Sequence, residues 1–203
     1  MNHEARAPEG RSDVNVAIFG GSFNPPHVAH VLAAALVVAT HDIDRLLVVP
    51  AFQHPFAKEL APYEARVKMC ELAMGNLPRV EISRVESDLG GESRTLYTLQ
   101  HLQKMNPNWH MQLVMGGDLV SESSKWHRFD DIKKIAPPLV IGRAGFANAK
   151  FVNEAPAVSL LPEISSTEIR KKIAEQKWDE LAPVVPKSVL DFIRAEHLYA
   201  AAP

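Results

Sequence analysis

The sequence predicts an α/β protein whose core is one doubly wound parallel sheet. The first observation is that short, almost continuously apolar runs, typical of strands buried on both faces, alternate with helical segments along the chain. The second is that the glycine-, proline- and hydroxyl-rich motifs fall where a strand ends or a helix begins. Because doubly wound sheets bind ligands at the carboxyl ends of their strands, we expect the functional site along that edge.

The first half of the chain alternates predicted strands with predicted helices. Each strand is a short run rich in Val, Leu and Ile, and each helix carries apolar residues at helical spacing. Pro62 suits the first turn of the second helix, where a missing N–H group costs nothing. The predicted order is strand 15–20, helix 28–40, strand 45–50, helix 62–75 and strand 79–85.

The second half continues this pattern and then ends in helices. The third helix places Leu96, Leu99 and Leu102 on one face. Residues 1–13 are polar and lack the apolar core of a signal peptide, so we expect a disordered tail there and one domain over residues 14–203. The predicted order is helix 95–105, strand 111–116, strand 139–142 and two late helices at 166–176 and 187–197.

Composition narrows the classes of function. A net charge of −2 argues against nucleic acid as the main partner, because binding to a phosphate backbone requires a basic surface. The longest apolar run, residues 31–39, is too short to span a membrane, so no membrane partner is expected. The single cysteine, Cys70, lies in an apolar helical pattern and excludes a disulfide framework within the chain, which favours a reducing, cytoplasmic compartment.

A phosphate-binding loop is predicted between the first strand and the first helix. Glycines at the strand end allow a close backbone approach, and the helix start offers N–H groups and a positive dipole end to an anion. His27 and His30 are three residues apart, so both can donate hydrogen bonds to that anion. Two ordinary surface histidines are the alternative, and a zinc pair is weaker because no Cys or acidic ligand lies nearby. The segment reads Gly20-Gly21-Ser22-Phe23-Asn24-Pro25-Pro26-His27-Val28-Ala29-His30.

A second candidate phosphate site lies at the start of the first late helix. Three hydroxyl residues, Ser165, Ser166 and Thr167, are followed one turn later by Arg170. Hydroxyls and a guanidinium in this arrangement can cradle a phosphate. The alternative is a well-capped helix, since either serine suits the N-cap and Glu168 fits a capping box.

Both motifs resemble the signatures of one nucleotidyltransferase superfamily. Its pattern G-x-F-x-P-x-H-x-G-H is matched at every fixed position except Ala29, where the family has glycine. Residues 164–170 are similar to its Ile-Ser-Ser-Thr-x-Ile-Arg signature, which contacts the outgoing β- and γ-phosphates of ATP. The resemblance implies a Rossmann-like nucleotidyltransferase fold in which His30 stabilises the α-phosphate, His27 assists and Arg170 holds the leaving pyrophosphate.

Further positions, between residues 16 and 198, resemble bacterial nicotinate-nucleotide adenylyltransferases. Gly116 and Asp118 look like the family's strand-end Gly-x-Asp, which implies that Asp118 binds ligand hydroxyls or helps to hold Mg²⁺. Trp126 resembles the family's downstream tryptophan and is expected to stack on the pyridine ring. The alternatives are a helix N-cap for Asp118 and an ordinary packed aromatic for Trp126.

Three more segments carry the same resemblance. Thr95 begins a helix similar to the family's Ser-Tyr-Thr-x-x-Thr-Leu start, which holds the nicotinate end, with Arg94 in place of the tyrosine. Lys58 lies where the family has a mobile substrate loop, and it either reaches a phosphate or stands in solvent. Arg143 belongs to a turn that resembles the family's Arg-x-Gly beside the adenine, or it is a surface residue.

The resemblance implies adenylyl transfer from ATP to nicotinate mononucleotide, with release of pyrophosphate, in NAD biosynthesis. We expect direct in-line attack by the mononucleotide phosphate on the α-phosphorus, with Mg²⁺ bridging phosphates. Hydroxyl and N–H donors at Thr95, with a cation at Arg94 if that side chain turns inward, favour nicotinate over nicotinamide mononucleotide. The alternatives are pantetheine-phosphate adenylyltransferase and a catalytically silent nucleotide-binding regulator, and a homo-oligomer stays open.

Overall fold

A computed structural model of the chain describes residues 13–53, 60–116, 126, 128–141 and 161–200. The predicted tail lies outside these ranges except for Asp13, and the division of the chain into a tail and one domain stays a prediction. The described elements, in chain order, are β1 (Val14–Gly21), α1 (Val28–Thr40), β2 (Arg45–Pro50), α2 (Tyr63–Met74), β3 (Val80–Ile82), α3 (Val85–Leu89), α4 (Thr95–Met105), β4 (Trp109–Gly116), α5 (Phe129–Ile135), β5 (Pro138–Ile141), α6 (Ser166–Ala174), a 3-10 turn (Trp178–Glu180) and α7 (Lys187–Ala195).

The described strands form one parallel sheet in the order β3-β2-β1-β4-β5. In the middle strand, Ile18 pairs in register with Leu47 of β2 and with Leu113 of β4. The strand order reverses direction at β1, and such a switch point opens a crevice at the carboxyl edge of a doubly wound sheet. The predicted fold class is therefore confirmed, and the crevice lies where the phosphate loop follows β1.

Successive residues of β1 face opposite sides of the sheet, and both sides are covered by helices. Ala17 belongs to a buried cluster with α1 and α2 that includes Cys70. Ile18 belongs to the cluster on the other side, which contains Leu96 and Leu99 of α4. Cys70 is fully buried, as expected, and burial raises the pKa of its thiol. Burial on both sides explains why the strands are nearly continuous apolar runs.

A third apolar cluster joins the C-terminal helices to α2. Ile169 of α6 and Ile193 of α7 pack with Leu181, which follows the 3-10 turn, and with Met69 of α2. This packing holds the start of α6 beside the carboxyl edge of the sheet. The second candidate phosphate motif is therefore placed by the hydrophobic surface of the helices that carry it.

The structure corrects the sequence prediction in the region of the third strand. Residues 79–85 were predicted as one strand, but β3 is only Val80–Ile82 and the chain then turns into α3. The Ser83 hydroxyl accepts a hydrogen bond from the Val85 N–H group at 3.3 Å, which supports the first turn of this helix. The apolar side chain of Val85 is thus buried from a helix rather than from the strand.

The helix α5 was not predicted either. It carries Asp130 and Asp131 in its first turn and Lys133 and Lys134 in its last turn, which is the charge order that the helix dipole favours. Lys133 pairs with Asp130 at 2.8 Å and Lys134 with Asp131 at 3.0 Å.

Within the residues that the structure describes, no helix combines the length and the apolar character needed to cross a membrane.

Candidate active site

The two glycines at the end of β1 have different tasks. A Cβ atom at Gly21 would lie 3.1 Å from the Phe23 ring, which is tighter than an ordinary contact, so packing favours glycine there. Phe23 itself is 2% exposed and adopts a left-handed φ of 45°. A Cβ atom at Gly20 would meet nothing within 4 Å, and Gly20 is exposed. The open space beside Gly20 is therefore where a ligand can approach the strand end.

The two histidines lie together, although not as the spacing predicted. His27 is the N-cap residue that precedes α1, whereas His30 lies within its first turn. Their ring centroids are 3.8 Å apart with an angle of 32° between the planes, and the Phe23 ring lies edge-on to His30 at 5.0 Å. His27 is 3% exposed and His30 is half-buried. Packing thus fixes both rings at the junction between the loop after β1 and the start of α1.

The hydrogen bond between the histidines sets a proton position. The His27 backbone N–H donates to Nδ1 of His30 at 3.2 Å. Because Nδ1 is the acceptor, the neutral His30 ring carries its proton on Nε2. His30 can therefore act as a donor through Nε2, which is the property needed to stabilise negative charge on a phosphate oxygen.

The start of α1 offers fewer free N–H groups than the sequence led us to expect. The Val28 N–H donates to the Val184 carbonyl at 2.9 Å, and the His27 N–H is used by His30. An anion at this helix start therefore depends more on the helix dipole and the His30 side chain than on these two backbone donors.

The two phosphate motifs are in direct contact. The Ser166 hydroxyl donates to the Pro25 carbonyl at 3.0 Å, a contact between residues 141 positions apart in sequence. Arg170 Nη1 donates to the Asn24 carbonyl at 2.8 Å, and Nη2 donates to the Thr167 hydroxyl at 3.3 Å. These bonds orient the Arg170 guanidinium and place the start of α6 beside the phosphate loop.

The predicted cap of α6 is confirmed in position but not in its bonds. Ser165 is the N-cap residue with an extended backbone, yet its side chain makes no capping hydrogen bond. Ser165 and Thr167 are exposed, and Ser166 is half-buried. Of these hydroxyls, that of Ser166 contacts the phosphate loop, whereas Ser165 and Thr167 lie at the solvent-exposed surface.

The start of α4 is joined to the segment after β2 by side chains that the sequence did not single out. Glu86 accepts hydrogen bonds from the Thr98 hydroxyl at 3.0 Å and from the Phe52 N–H at 3.1 Å. The Ser93 hydroxyl accepts from the same Phe52 N–H group at 2.7 Å. Thr95, half-buried at the first position of α4, is thereby held near the segment that leads to Lys58.

Arg94 does not supply the inward cation that was considered for the nicotinate end. Its Nη2 lies 2.7 Å from a carboxylate oxygen of Glu92, and its Nε lies 3.0 Å from the same oxygen. This hydrogen-bonded carboxylate raises the pKa of Arg94. The positive charge at this helix start is therefore balanced locally at the surface.

Arg66, which the sequence did not single out, is a buried cation at the same edge of the sheet. It is 1% exposed, and burial lowers the pKa of its guanidinium. Its three nitrogens donate to the carbonyls of Ala61 at 3.0 Å, Ser22 at 3.0 Å and Phe52 at 3.3 Å. A single arginine thus ties the phosphate loop to both ends of the connection between β2 and α2. The only signal in the sequence was a charged residue beside the buried face of α2.

Of the remaining candidate residues, the structure describes Gly116 and Trp126. Gly116 is the last residue of β4 and pairs in register with Ile141 of β5. Trp126 is half-buried, packs against the core, and lies edge-on to Phe129 with 5.9 Å between ring centroids. The predicted ligand contacts of Lys58, Asp118 and Arg143 lie outside the described residues.

Comparison with known proteins gives a consistent set of relatives. A family model described as cytidylyltransferase-like matches residues 18–172. The chain is 41% identical over 187 residues to the "Probable nicotinate-nucleotide adenylyltransferase" of Anaeromyxobacter dehalogenans strain 2CP-C, covering 91% of this chain and 96% of the relative. A protein of the same name from Myxococcus xanthus strain DK1622 is 35% identical over 190 residues, covering 93% of this chain and 96% of the relative.

Solved structures show the same fold. The Plasmodium falciparum nicotinic acid mononucleotide adenylyltransferase complexed with NaAD has a TM-score of 0.79 and 20% identity, covering 92% of this chain and 97% of that chain. The same enzyme complexed with APC has a TM-score of 0.78 and 21% identity, with the same coverage. At these identities the likeness is one of fold.

Proposed function

Since the chain belongs to the cytidylyltransferase-like family, and its relatives are nicotinate-nucleotide adenylyltransferases, we propose that it transfers the adenylyl group of ATP to nicotinate mononucleotide. The products are pyrophosphate and nicotinate adenine dinucleotide, and the reaction is a step of NAD biosynthesis. We place it in the cytoplasm, where ATP and pyridine mononucleotides are available. The observation that carries the proposal is the direct contact between the two phosphate motifs, through Arg170 and Asn24 and through Ser166 and Pro25.

The reaction needs positioning and charge stabilisation rather than a covalent intermediate. A phosphate oxygen of the mononucleotide forms a bond to the α-phosphorus of ATP, and the bond between that phosphorus and the oxygen bridging to the β-phosphate breaks. The electron pair of the broken bond leaves with pyrophosphate. Phosphate is a competent nucleophile at neutral pH, so the protein acts by holding both reactants in line and by stabilising the charge that develops.

The site residues divide this work between the two motifs. We assign His30 to the α-phosphate, because its Nε2 carries the proton, and His27 to the support of the His30 ring. The open space at Gly20, in the loop that also contains Gly21, Ser22 and Phe23, admits the phosphates. Arg170 and the hydroxyls at the start of α6 then hold the outgoing β- and γ-phosphates.

Mg²⁺ fits this arrangement as a partner of the nucleotide. Among the described residues, no group of three His, Cys, Asp or Glu side chains could hold a metal ion. Mg²⁺ is commonly bound through substrate phosphates, water and one or two carboxylates, so it does not need such a group. When bound it neutralises phosphate charge, and Asp118 is the carboxylate that we propose to help hold it.

The preference for the nicotinate acid rests on the start of α4. A carboxylate acceptor needs N–H or hydroxyl donors, and Thr95 supplies a hydroxyl at a helix N-terminus where the dipole also favours an anion. Arg94 contributes less than expected, since Glu92 balances its charge. We propose that Trp126 packs against the pyridine ring, that Lys58 reaches a phosphate and that Arg143 lies beside the adenine.

No observation favours the two alternatives. The relatives that match over most of the chain carry the nicotinate-nucleotide name, not that of pantetheine-phosphate adenylyltransferase. The silent regulator was kept open by two departures from the family pattern, Ala29 and Arg94. Ala29 is 2% exposed, so its methyl group lies within the packing of α1 and not in the open space beside Gly20.

A comparison of acceptors tests the proposal. The purified protein is incubated with ATP, Mg²⁺ and one of three acceptors: nicotinate mononucleotide, nicotinamide mononucleotide or phosphopantetheine. We expect stoichiometric pyrophosphate and dinucleotide with nicotinate mononucleotide, and a kcat/KM at least about tenfold above that for nicotinamide mononucleotide, which requires only ~1.4 kcal/mol of discrimination. Equal or better use of the amide would refute the assignment of the acceptor, and faster turnover of phosphopantetheine would favour the first alternative.

A further inference from the structure

Asn24 of the phosphate loop is a buried junction between three distant segments of the chain. The residue is 2% exposed. Its Oδ1 accepts hydrogen bonds from the Tyr199 hydroxyl at 2.8 Å and from the Ala61 N–H at 3.0 Å. Its backbone carbonyl accepts the bond from Arg170 Nη1 at 2.8 Å. The position of Arg170 is therefore linked, through one residue, to the last part of the chain.

Tyr199 is held in this position by its backbone conformation, by a neighbouring hydrogen bond and by packing. Its backbone is left-handed, with φ 61°, and the preceding residue, Leu198, donates its N–H to the Ile193 carbonyl at 3.0 Å. Leu198 and Tyr199 both pack against the third apolar cluster, which contains Ile169. Burial raises the pKa of the Tyr199 hydroxyl, more than the nearby Arg170 and Arg66 lower it. The hydroxyl is therefore protonated at neutral pH and donates to Asn24.

Two further hydrogen bonds join the C-terminal segment to the phosphate loop and the start of α1. Ser166 donates to the Pro25 carbonyl, and the Val184 carbonyl accepts the Val28 N–H at 2.9 Å. The packed C-terminal unit of α6, the 3-10 turn and α7 thus contacts this segment at Asn24, Pro25 and Val28. Tyr199 is the one contact of this set that acts on the side chain of Asn24, whose carbonyl holds Arg170.

We propose that Tyr199 is a positioning residue for adenylyl transfer: by fixing Asn24 it fixes the guanidinium of Arg170 against the outgoing pyrophosphate. This inference rests on the proposed function. Loss of the hydroxyl removes one of the hydrogen bonds at Asn24 Oδ1 and leaves the bond from Ala61, so the Asn24 carbonyl is held less firmly and the alignment of Arg170 is weakened. Because that alignment matters most when charge develops on the leaving group, the loss falls on kcat rather than on KM.

The test compares two hydroxyl deletions in the same C-terminal unit. Tyr199→Phe removes the bond to Asn24 and keeps the ring. Ser188→Ala is the control, because Ser188 donates to the Leu72 carbonyl at 3.1 Å and joins α7 to α2 without reaching the loop. We expect Tyr199→Phe to lower kcat about tenfold, the scale of one hydrogen bond, with the KM for ATP within about twofold. Ser188→Ala should keep the wild-type kcat even if its melting temperature falls as much.

A double-mutant cycle separates positioning from general stability. In an Arg170→Ala background, Tyr199→Phe should cost less than about twofold more, since the group that it positions is absent. Losses that multiply, an unchanged kcat in Tyr199→Phe, or a Tyr199→Phe protein that does not fold would each overturn the inference while leaving the proposed function standing. A wild-type protein that makes no dinucleotide from ATP and nicotinate mononucleotide would instead overturn the proposed function itself.

Discussion

At the scale of single residues, the active site assigns different tasks to two histidines that look alike in sequence. His27 is buried at the N-cap position, and its backbone N–H group donates a hydrogen bond to Nδ1 of His30. His30 is half-buried beside the Phe23 ring, with its proton left on Nε2. We therefore propose His30 as the donor toward a phosphate, and His27 as the residue that sets the tautomer and plane of the His30 ring.

This assignment predicts the effect of removing His30. His30→Ala should lower turnover by roughly 10²- to 10³-fold, the scale for loss of one transition-state donor. His41→Ala is the matched control, since His41 lies exposed at the opposite end of α1. Steady-state kinetics and circular dichroism check the result. Near-normal turnover in folded His30→Ala would show that the α-phosphate is stabilised by other groups.

Arg170 gives the second prediction at this scale. Its guanidinium is oriented by the Asn24 carbonyl and the Thr167 hydroxyl, so it is ready to receive phosphate oxygens. Arg170→Ala should cost roughly 2–4 kcal/mol in transition-state stabilisation, measured as the loss of kcat/KM for ATP. Lys171→Ala, which removes an exposed charge from the next position of the same helix, should behave like wild type. If both variants use ATP equally well, Arg170 has a structural role only.

At the scale of elements, helix starts gather near the carboxyl edge of the sheet. α1 follows β1 directly, α6 contacts the loop between them, and α4 is tied to the segment after β2 through Glu86 and Ser93. The N-terminus of a helix favours an anion through its dipole. The proposed reaction brings several anionic groups into the crevice, and these helix starts provide a matching field.

The start of α4 predicts how the acceptor is selected. Thr95→Val removes a hydroxyl donor and keeps the shape of the side chain, so the preference for nicotinate over nicotinamide mononucleotide should shrink several-fold. Thr95→Ser keeps the hydroxyl and should retain the preference. The measurement is kcat/KM for both mononucleotides with each variant. A Thr95→Val preference equal to that of wild type would assign the discrimination to the backbone N–H groups or to another element.

At the scale of the whole molecule, the sequence predicted those features that local pattern determines. Strands buried on both faces give continuous apolar runs, and each phosphate motif is a contiguous segment, so the sheet and the two motifs could be read directly. The short helix α3 was missed because Val85 fits the apolar pattern of a strand as well as that of a helix. The helix α5 carried a readable signal in its acids and lysines, but it has only seven residues.

The rest of the site could not be predicted because it depends on contacts between distant segments. Arg66, Asn24 and Tyr199 act through carbonyls and side chains that are brought together only by the packing of the C-terminal helices on α2. Arg94 was misjudged as a possible inward cation because its partner, Glu92, is an equally ordinary surface residue. Sequence motifs thus supplied the residues that we propose to contact the substrate, and the structure added the residues that hold those motifs in place.

The fate of the α-phosphorus of ATP tests the central claim most directly. The purified protein is given ATP carrying a radioactive label on the α-phosphorus, with Mg²⁺ and nicotinate mononucleotide, and the products are separated by chromatography. Attack at the α-phosphorus predicts that the label moves into nicotinate adenine dinucleotide while unlabelled pyrophosphate forms in equal amount. Label that remains in ATP, or that is released as AMP or ADP with no labelled dinucleotide, would contradict adenylyl transfer by this site.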